Sequence, residues 1–353
     1  MITSKKSQDL LFELLLVSMG ARKSLQQTYT DDDWKGALDL AKAHTIEAVL
    51  LSAMDTLDMH PPESLLKQWV VRSLLVEQGS KKKIKAAAAL VKLFREHGFA
   101  CQILKGSAVA RYYPLPLRRS SGDIDIWADG GRKKICDFAR TLDKDGKLYG
   151  LNNHHIHLHI IPKIHIEVHF WPSFLSSPLH NWRFHRFCKL HWPTMESDMP
   201  SLAFDRVFIL HHCFRHICGY GVWLRQIMDY YYVLKQGFTE EERKDAVHWI
   251  KQLGMARFAR GLMWVLQEYF GLEERYLLMA PDEKEGRFIM HEVLQTNDMR
   301  YLHAHKGDSS RTPLSRFFLY LRRDFYIARH YPQETLWRPA ASIWKHIWRL
   351  FVK

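Results

Sequence analysis

Two apolar stretches carry carboxylates that a buried strand does not normally tolerate. In "DIDIWAD", residues 123–129, polar and apolar positions alternate with period two. Asp123 and Asp125 therefore share one face of a strand, with Cα atoms roughly 6.6 Å apart. In "IHIEVHF", Glu167 sits in a second alternating run. Like charges on one face repel and lose hydration, which pushes at least one carboxyl toward protonation. A divalent cation removes that conflict, because hard Mg²⁺ (or Mn²⁺) takes carboxylate oxygens together with phosphate oxygens. Two ions roughly 3.5–4 Å apart can hold the attacking and the leaving oxygen of an in-line phosphoryl displacement. Asp123, Asp125 and Glu167 are thus the expected metal ligands and catalytic acids.

Upstream, "FACQILKG" is a short apolar run ending in glycine, and "SAVARYY" follows with helical spacing. Gly106 and Ser107 fall between a strand and a helix start. Backbone N–H groups at such a turn point outward and can cradle a phosphate. Glycine lets backbone approach a ligand closely, and the Ser107 hydroxyl adds a donor. Lys105 and Arg119 flank the turn and are expected to neutralise triphosphate charge.

"HHIHLHIIPKIHIEVHF" adds six histidines around the third acid. On alternating strands His155, His157 and His159 share a face, as do His165, Glu167 and His169. A three-residue turn would bring the two sets together, whereas a two-residue turn would separate them. His157 and His169 are candidates to line the site, position an acceptor or act as general base. A zinc site on the hairpin is a second option, and a solvated polar face a third. "HHCFRHIC" places His212 and His216 at i, i+4, but with no HExxH or paired-Cys motif the ordinary reading is buried helix histidines.

The elements that must hold these residues divide the chain into three stretches. Residues 1–97 read as helical, with cap-type aspartates at 31–33, prolines at 61–62 and a C-cap glycine at 98. The lysines at 81, 82, 83 and 85 read as one solvated helix face. Residues 98–172 read as a small mixed α/β core, with a hairpin turning near Pro162-Lys163. Residues 173–353 return to helices, with a capping box at Thr239 and Glu242 and a polar, loop-like portion near 305–313. The C-terminal helix puts Trp344, Ile347, Trp348 and Phe351 on one side, expected to pack onto the domain or a subunit rather than dock on a membrane surface. The fold class is therefore α+β.

Composition bounds the rest. The 353 residues are 47% hydrophobic and 13% aromatic, a globular balance. Lys plus Arg total 51 against 38 Asp plus Glu, a net charge of +13 that suits a polyanionic partner or none. Five irregularly spaced cysteines without CxxC argue against a disulfide framework and suit a cytoplasmic protein. Lys5 and Lys6 before leucines faintly resemble a signal peptide, but Asp9 and Glu13 interrupt the apolar region. No run approaches the ~18 apolar residues of a membrane span.

The ordered set of strand, Gly-Ser turn, helix, DxD strand and later acidic strand resembles the minimal core of the DNA polymerase beta-like nucleotidyltransferase superfamily. More narrowly, "ILKGSAVARYYPLPLRRSSGDIDIWAD" followed by "IHIEVHFW" is similar to an uncharacterised bacterial nucleotidyltransferase family with an LKG–Tyr-Pro–Arg–DxD signature. The resemblance implies metal ligation by Asp123, Asp125 and Glu167 and triphosphate binding by Gly106 and Ser107. The third acid is Glu where the superfamily more often has Asp, which moves the carboxylate out by one methylene. "LRQIMDYYYVL" resembles that family's downstream helix. Arg225 and Asp229, at i, i+4, suit a local pair, and the resemblance implies that their helix faces the cleft. The implied reaction is transfer of a nucleoside monophosphate from an NTP to an acceptor (a small molecule, protein or RNA) with release of pyrophosphate. The alternative is a nucleotide- or RNA-binding module on the same fold. It is favoured by basic charge and 12 tryptophans but not by the acidic triplet, from which a binder of polyanions gains nothing.

Overall fold

The computed structural model describes residues 4–219, 221–304 and 313–351. Four helices come first: α1 (Lys5–Ser18), α2 (Asp31–Ala43), α3 (Glu47–Leu50) and α4 (Glu63–Glu96). Thr30, rather than an aspartate, is the N-cap of α2. Its hydroxyl accepts from the Asp33 N–H and the Asp33 carboxylate accepts from the Thr30 N–H, a closed capping box. The three aspartates occupy the first turn, where they face the positive end of the helix dipole. Helix α4 starts after Pro61-Pro62, and just beyond it Gly98 turns at φ +76°.

The middle of the chain builds β1 (Cys101–Leu104), α5 (Gly106–Ala110), β2 (Ile124–Ala128), α6 (Gly131–Leu142), β3 (His155–Leu158) and β4 (Ile166–His169). Together the strands form one sheet in the order β1-β2-β4-β3. β2 and β4 run parallel, while β1 pairs with β2 and β3 with β4 antiparallel. Ile124, Ile126, Ile156, Leu158, Ile166 and Val168 face a core completed by Leu90, Val91 and Phe94 of α4 and Phe138 of α6. Each such side chain contributes about 1.5–3 kcal/mol when buried. A one-residue slip would turn that apolar set outward and the carboxylates inward, so the core fixes the register. Asp125, Trp127, His155, His157, Glu167 and His169 consequently share the opposite face.

The hairpin connection, residues 159–165, turns at Pro162-Lys163, with Lys163 at φ +62°. His155 pairs with His169 and His157 with Glu167, so the histidine sets and the third acid meet on one face.

The remaining helices are α7 (Pro178–Leu190), α8 (Leu202–Gly219), α9 (Leu224–Leu234), α10 (Glu240–Gln252), α11 (Ala256–Phe270), α12 (Glu283–Ala304), α13 (Pro313–Ala328), α14 (Pro332–Thr335) and α15 (Arg338–Phe351). Thr239 and Glu242 close the expected capping box on α10. Side chains of α1, α2, α8, α9 and α11 share one apolar core, which Leu104, Val109 and Trp127 join from the sheet region. The N-terminal and C-terminal helices therefore buttress the sheet together. All five cysteines are buried and free. On α15, Trp344 and Ile347 stand 65% and 41% exposed, so of the two expected packings, onto the domain or onto a subunit, the described domain does not supply the first. The side chains of Trp348 and Phe351 lie outside the described residues, as does the stretch at 305–312. No described helix is long and apolar enough to cross a membrane.

Candidate active site

The parallel ladder sets Glu167 of β4 directly beside Asp125 of β2. Asp125 is buried at 7% exposure. Its Oδ1 accepts from Lys105 Nζ at 2.8 Å and from His169 Nε2 at 3.0 Å. The same His169 Nε2 lies 3.3 Å from Glu167 Oε2. Burial works to raise the Asp125 carboxyl, but the Lys105 charge and the His169 hydrogen bond outweigh it and hold the group well below its ordinary range. Burial likewise opposes ionised Glu167, yet the His169 hydrogen bond holds that carboxyl down to about 2. Burial disfavours charge on His169 itself, and its bonds to the two carboxylates reverse that, raising the ring above its ordinary value.

The sequence-based expectation makes a cation responsible for tolerating the clustered acids; the protein's own Lys105 and His169 also lie against Asp125 and Glu167. Lys105, expected at the triphosphate, instead pairs with Asp125. Its backbone takes φ +47°, ψ −142°, uncommon for a side-chain-bearing residue, and Gly106 follows at φ +28°. These two positive φ values end β1 and begin α5, and they place the Lys105 ammonium against Asp125. Such strain costs of order 1–3 kcal/mol and is held in place by surrounding structure.

Asp123 stands just before β2 at the open end of the sheet and is exposed. Desolvation by the surrounding protein, then the charges of Asp125 and Glu167, push its carboxyl above the ordinary value. It is near both acids but outside the tight cluster. Among the described residues, ligand atoms of Asp125, Glu167 and His169 all lie within 4.8 Å of one another. This donor set of two carboxylates and an imidazole, with a third carboxylate at the mouth, fits a divalent cation.

The loop before Asp123 is tied down from both sides. Arg119 is 5% exposed and forms a bidentate pair with Asp229 of α9, Nε to Oδ1 at 3.0 Å and Nη2 to Oδ2 at 2.6 Å. Tyr113 donates its hydroxyl to the same Oδ1 at 2.7 Å. Arg119 is expected at the nucleotide, and Asp229 in the cleft, but the two neutralise each other in the interior. Nor does Asp229 pair with Arg225 along the helix. Arg225 Nη1 instead donates to the Ser120 carbonyl at 3.0 Å. Helix α9 therefore serves the site by holding residues 119–121. From the other side, Lys83 of α4 donates to the Ser121 carbonyl, while Lys81, Lys82 and Lys85 are exposed as expected. A groove of about 230 Å³ opens here, lined by Arg72, Leu75, Gly79, Ser80, Lys83 and Ser121.

Gly106 is buried, and a Cβ built there would meet the Asp123 carbonyl oxygen at 3.6 Å and Arg119 Nη1 at 3.8 Å. The Gly106-Ser107 turn thus lies against the backbone that carries the first acid. Ser107 is half-buried in the first turn of α5.

The hairpin histidines are organised by Asn152. Its Oδ1 accepts from the backbone N–H groups of His154 and His155, both at 3.0 Å. Its amide nitrogen is left to donate to His155 Nε2 at 2.7 Å. His155 Nδ1–H then donates to His154 Nε2 at 3.0 Å, and His154 Nδ1–H to Asn153 Oδ1 at 3.0 Å. Metal-like spacing occurs in His154–His155–His169 and in His155–His157–Glu167. Both groups share His155, whose nitrogens meet Asn152 and His154 and whose Nδ1 also lies 3.5 Å from Glu167 Oε2. Burial, with the neighbouring His169 charge, pulls the His155 ring down to about 3. His157 Nε2 lies 3.7 Å from Glu167 Oε1 and is 41% exposed, at the edge of the site. His212 and His216 contact each other at 3.1 Å and burial keeps both well below the usual imidazole range.

The chain belongs to a family of uncharacterised nucleotidyltransferases, whose profile matches residues 30–271. That span includes the Gly106 turn, both carboxylate strands and α9. No curated protein and no solved structure matches the chain.

Proposed function

We propose that this protein is a metal-dependent nucleotidyltransferase of the DNA polymerase beta-like type. The observation that supports this most is the in-register pair of Asp125 and Glu167 on parallel strands, with Asp123 just before β2 and near enough to feel both charges. Asp123, Asp125 and Glu167 would hold Mg²⁺ or Mn²⁺, which when bound supplies charge neutralisation for the phosphates of an NTP. Gly106 and Ser107 would present backbone and hydroxyl donors to the triphosphate. Lys105, in the same turn, would be free to follow the phosphates if a bound cation took over the compensation of Asp125. The acceptor hydroxyl attacks the α-phosphorus, the bond to the bridging oxygen of pyrophosphate breaks, and the acceptor proton passes to Glu167 or His157. Loop 119–121, fixed by α4 and α9, keeps Asp123 in place during the transfer.

The binding-module alternative has a weaker footing, because clustered carboxylates repel polyanions unless a cation intervenes. Isothermal titration with ATP, GTP, CTP and UTP, with and without Mg²⁺, tests the proposal. Metal-dependent binding in the wild type that disappears in the folded Asp123→Ala, Asp125→Ala double variant supports it. Unchanged binding by that variant would overturn the site. Pyrophosphate release with protein, RNA and small hydroxyl acceptors then separates an enzyme from a binding module.

A further inference from the structure

β4 carries a histidine two residues beyond Glu167, and the strand's alternation turns it to the same face. We propose that His169 is itself a ligand of the divalent cation, through Nε2, and that this nitrogen biases the site toward Mn²⁺ over Mg²⁺. The assignment rests on the metal-site reading above.

His169 Nε2 lies 3.0 Å from Asp125 Oδ1 and 3.3 Å from Glu167 Oε2. Neighbouring donors on an octahedral ion with metal–ligand bonds of about 2.1 Å stand about 3 Å apart, so the present spacing already suits a shared ion. The ring has little freedom to leave. It is 2% exposed and packs against the rings of His155 and His154, with centroids at 5.0 and 5.7 Å. Its other nitrogen, Nδ1, is buried without a hydrogen-bond partner among the described residues, so no competing bond draws the ring away.

The alternatives to His169 are poorer. Both nitrogens of His155 are engaged with Asn152 and His154. His157 approaches the other oxygen of Glu167, at 3.7 Å. Asp123 stands outside the tight set that Asp125, Glu167 and His169 make. A site of carboxylates alone suits Mg²⁺, whereas an imidazole nitrogen adds affinity for transition metals and little for magnesium.

The test uses Mn²⁺ bound to the full-length protein, read by electron spin echo modulation, with Mn²⁺ and Mg²⁺ affinities measured by titration calorimetry. The expected result is ¹⁴N coupling on wild-type Mn²⁺, retained in His157→Gln and lost in His169→Gln. His169→Gln is further expected to weaken Mn²⁺ at least tenfold while leaving Mg²⁺ within about threefold. The wild-type spectrum stands even if the buried His169 variant fails to fold. Absence of ¹⁴N coupling in wild type, or His169→Gln binding Mn²⁺ as wild type does, overturns the ligand assignment and leaves the carboxylate site intact. Wild-type protein that binds neither ion overturns both.

Discussion

Glu167 stands beside Asp125 across a parallel ladder, and His169 Nε2 bridges the two carboxylates at 3.3 and 3.0 Å. Lys105 Nζ adds a positive charge 2.8 Å from Asp125. The four side chains come from β1's end, β2 and β4, so the sheet register sets their charge balance.

Lys105 should be tied to Asp125 only while no metal is bound. Lys105→Ala is expected to destabilise the metal-free protein by about 1.5–3 kcal/mol, the scale of a hydrogen bond to a charged group. Lys105→Gly should cost about 1 kcal/mol less, because glycine relieves the positive φ. Denaturant melts in EDTA check both. Mn²⁺ should stabilise these variants more than wild type, and equal stabilisation would remove Lys105 from the site's charge balance.

The Arg119–Asp229 pair is a structural strut. Removing one partner of a buried pair costs about 3–5 kcal/mol, so Arg119→Ala should lower stability by that amount. Lysine lacks the planar fork that meets both oxygens, and Arg119→Lys should recover only part of it. An Arg119→Ala variant that melts like wild type but loses nucleotide binding would return this residue to the ligand-binding role expected from its position in the sequence.

Much of this architecture is legible in the amino-acid sequence. Period-two alternation locates β2 and β4, and charge in those strands marks Asp125 and Glu167. Pro and Gly punctuation bounds α4. The partners of the arginines are not legible. Arg225 and Asp229 have the i, i+4 spacing of a local pair, but Asp229 meets Arg119, 110 positions earlier, because α9 packs on the loop before β2. Lys105 carries no sign of its strained backbone. Asn152, which fixes the histidine tautomers, has no local pattern that announces it. The loop length that decides whether the histidines meet Glu167 lies in the irregular stretch 159–165, where periodicity is silent.

Stability of the metal-free protein should depend on pH through His169. Its folded-state pKa is raised above 6.5, so its contribution is complete below 6.5 and is lost as pH rises through the raised value. Glu167 is held at about 2 against 4.5, so its contribution is present above 4.5 and lost as pH falls toward 2. The difference in melting temperature between wild type and His169→Gln in EDTA should therefore shrink on the alkaline side. A difference that grows on the alkaline side would contradict a raised His169 pKa.

Burial and the charges of Asp125 and Glu167 push the Asp123 carboxyl up, and the His165 and Lys105 charges offset this only in part. Asp123→Asn should leave the melting temperature unchanged or slightly raised while abolishing metal-dependent nucleotide binding, the trade expected where function keeps an unfavourable charge. A clear loss of stability would mark Asp123 as a structural residue.

The proposed metal centre is tested most directly by anomalous diffraction from crystals soaked with Mn²⁺ and a non-hydrolysable NTP analogue. The expected result is a manganese peak within bonding distance of Asp125 and Glu167, with Lys105 moved off Asp125 and the phosphates over Gly106-Ser107. Manganese and nucleotide bound elsewhere, with the Lys105–Asp125 bond intact, would contradict it.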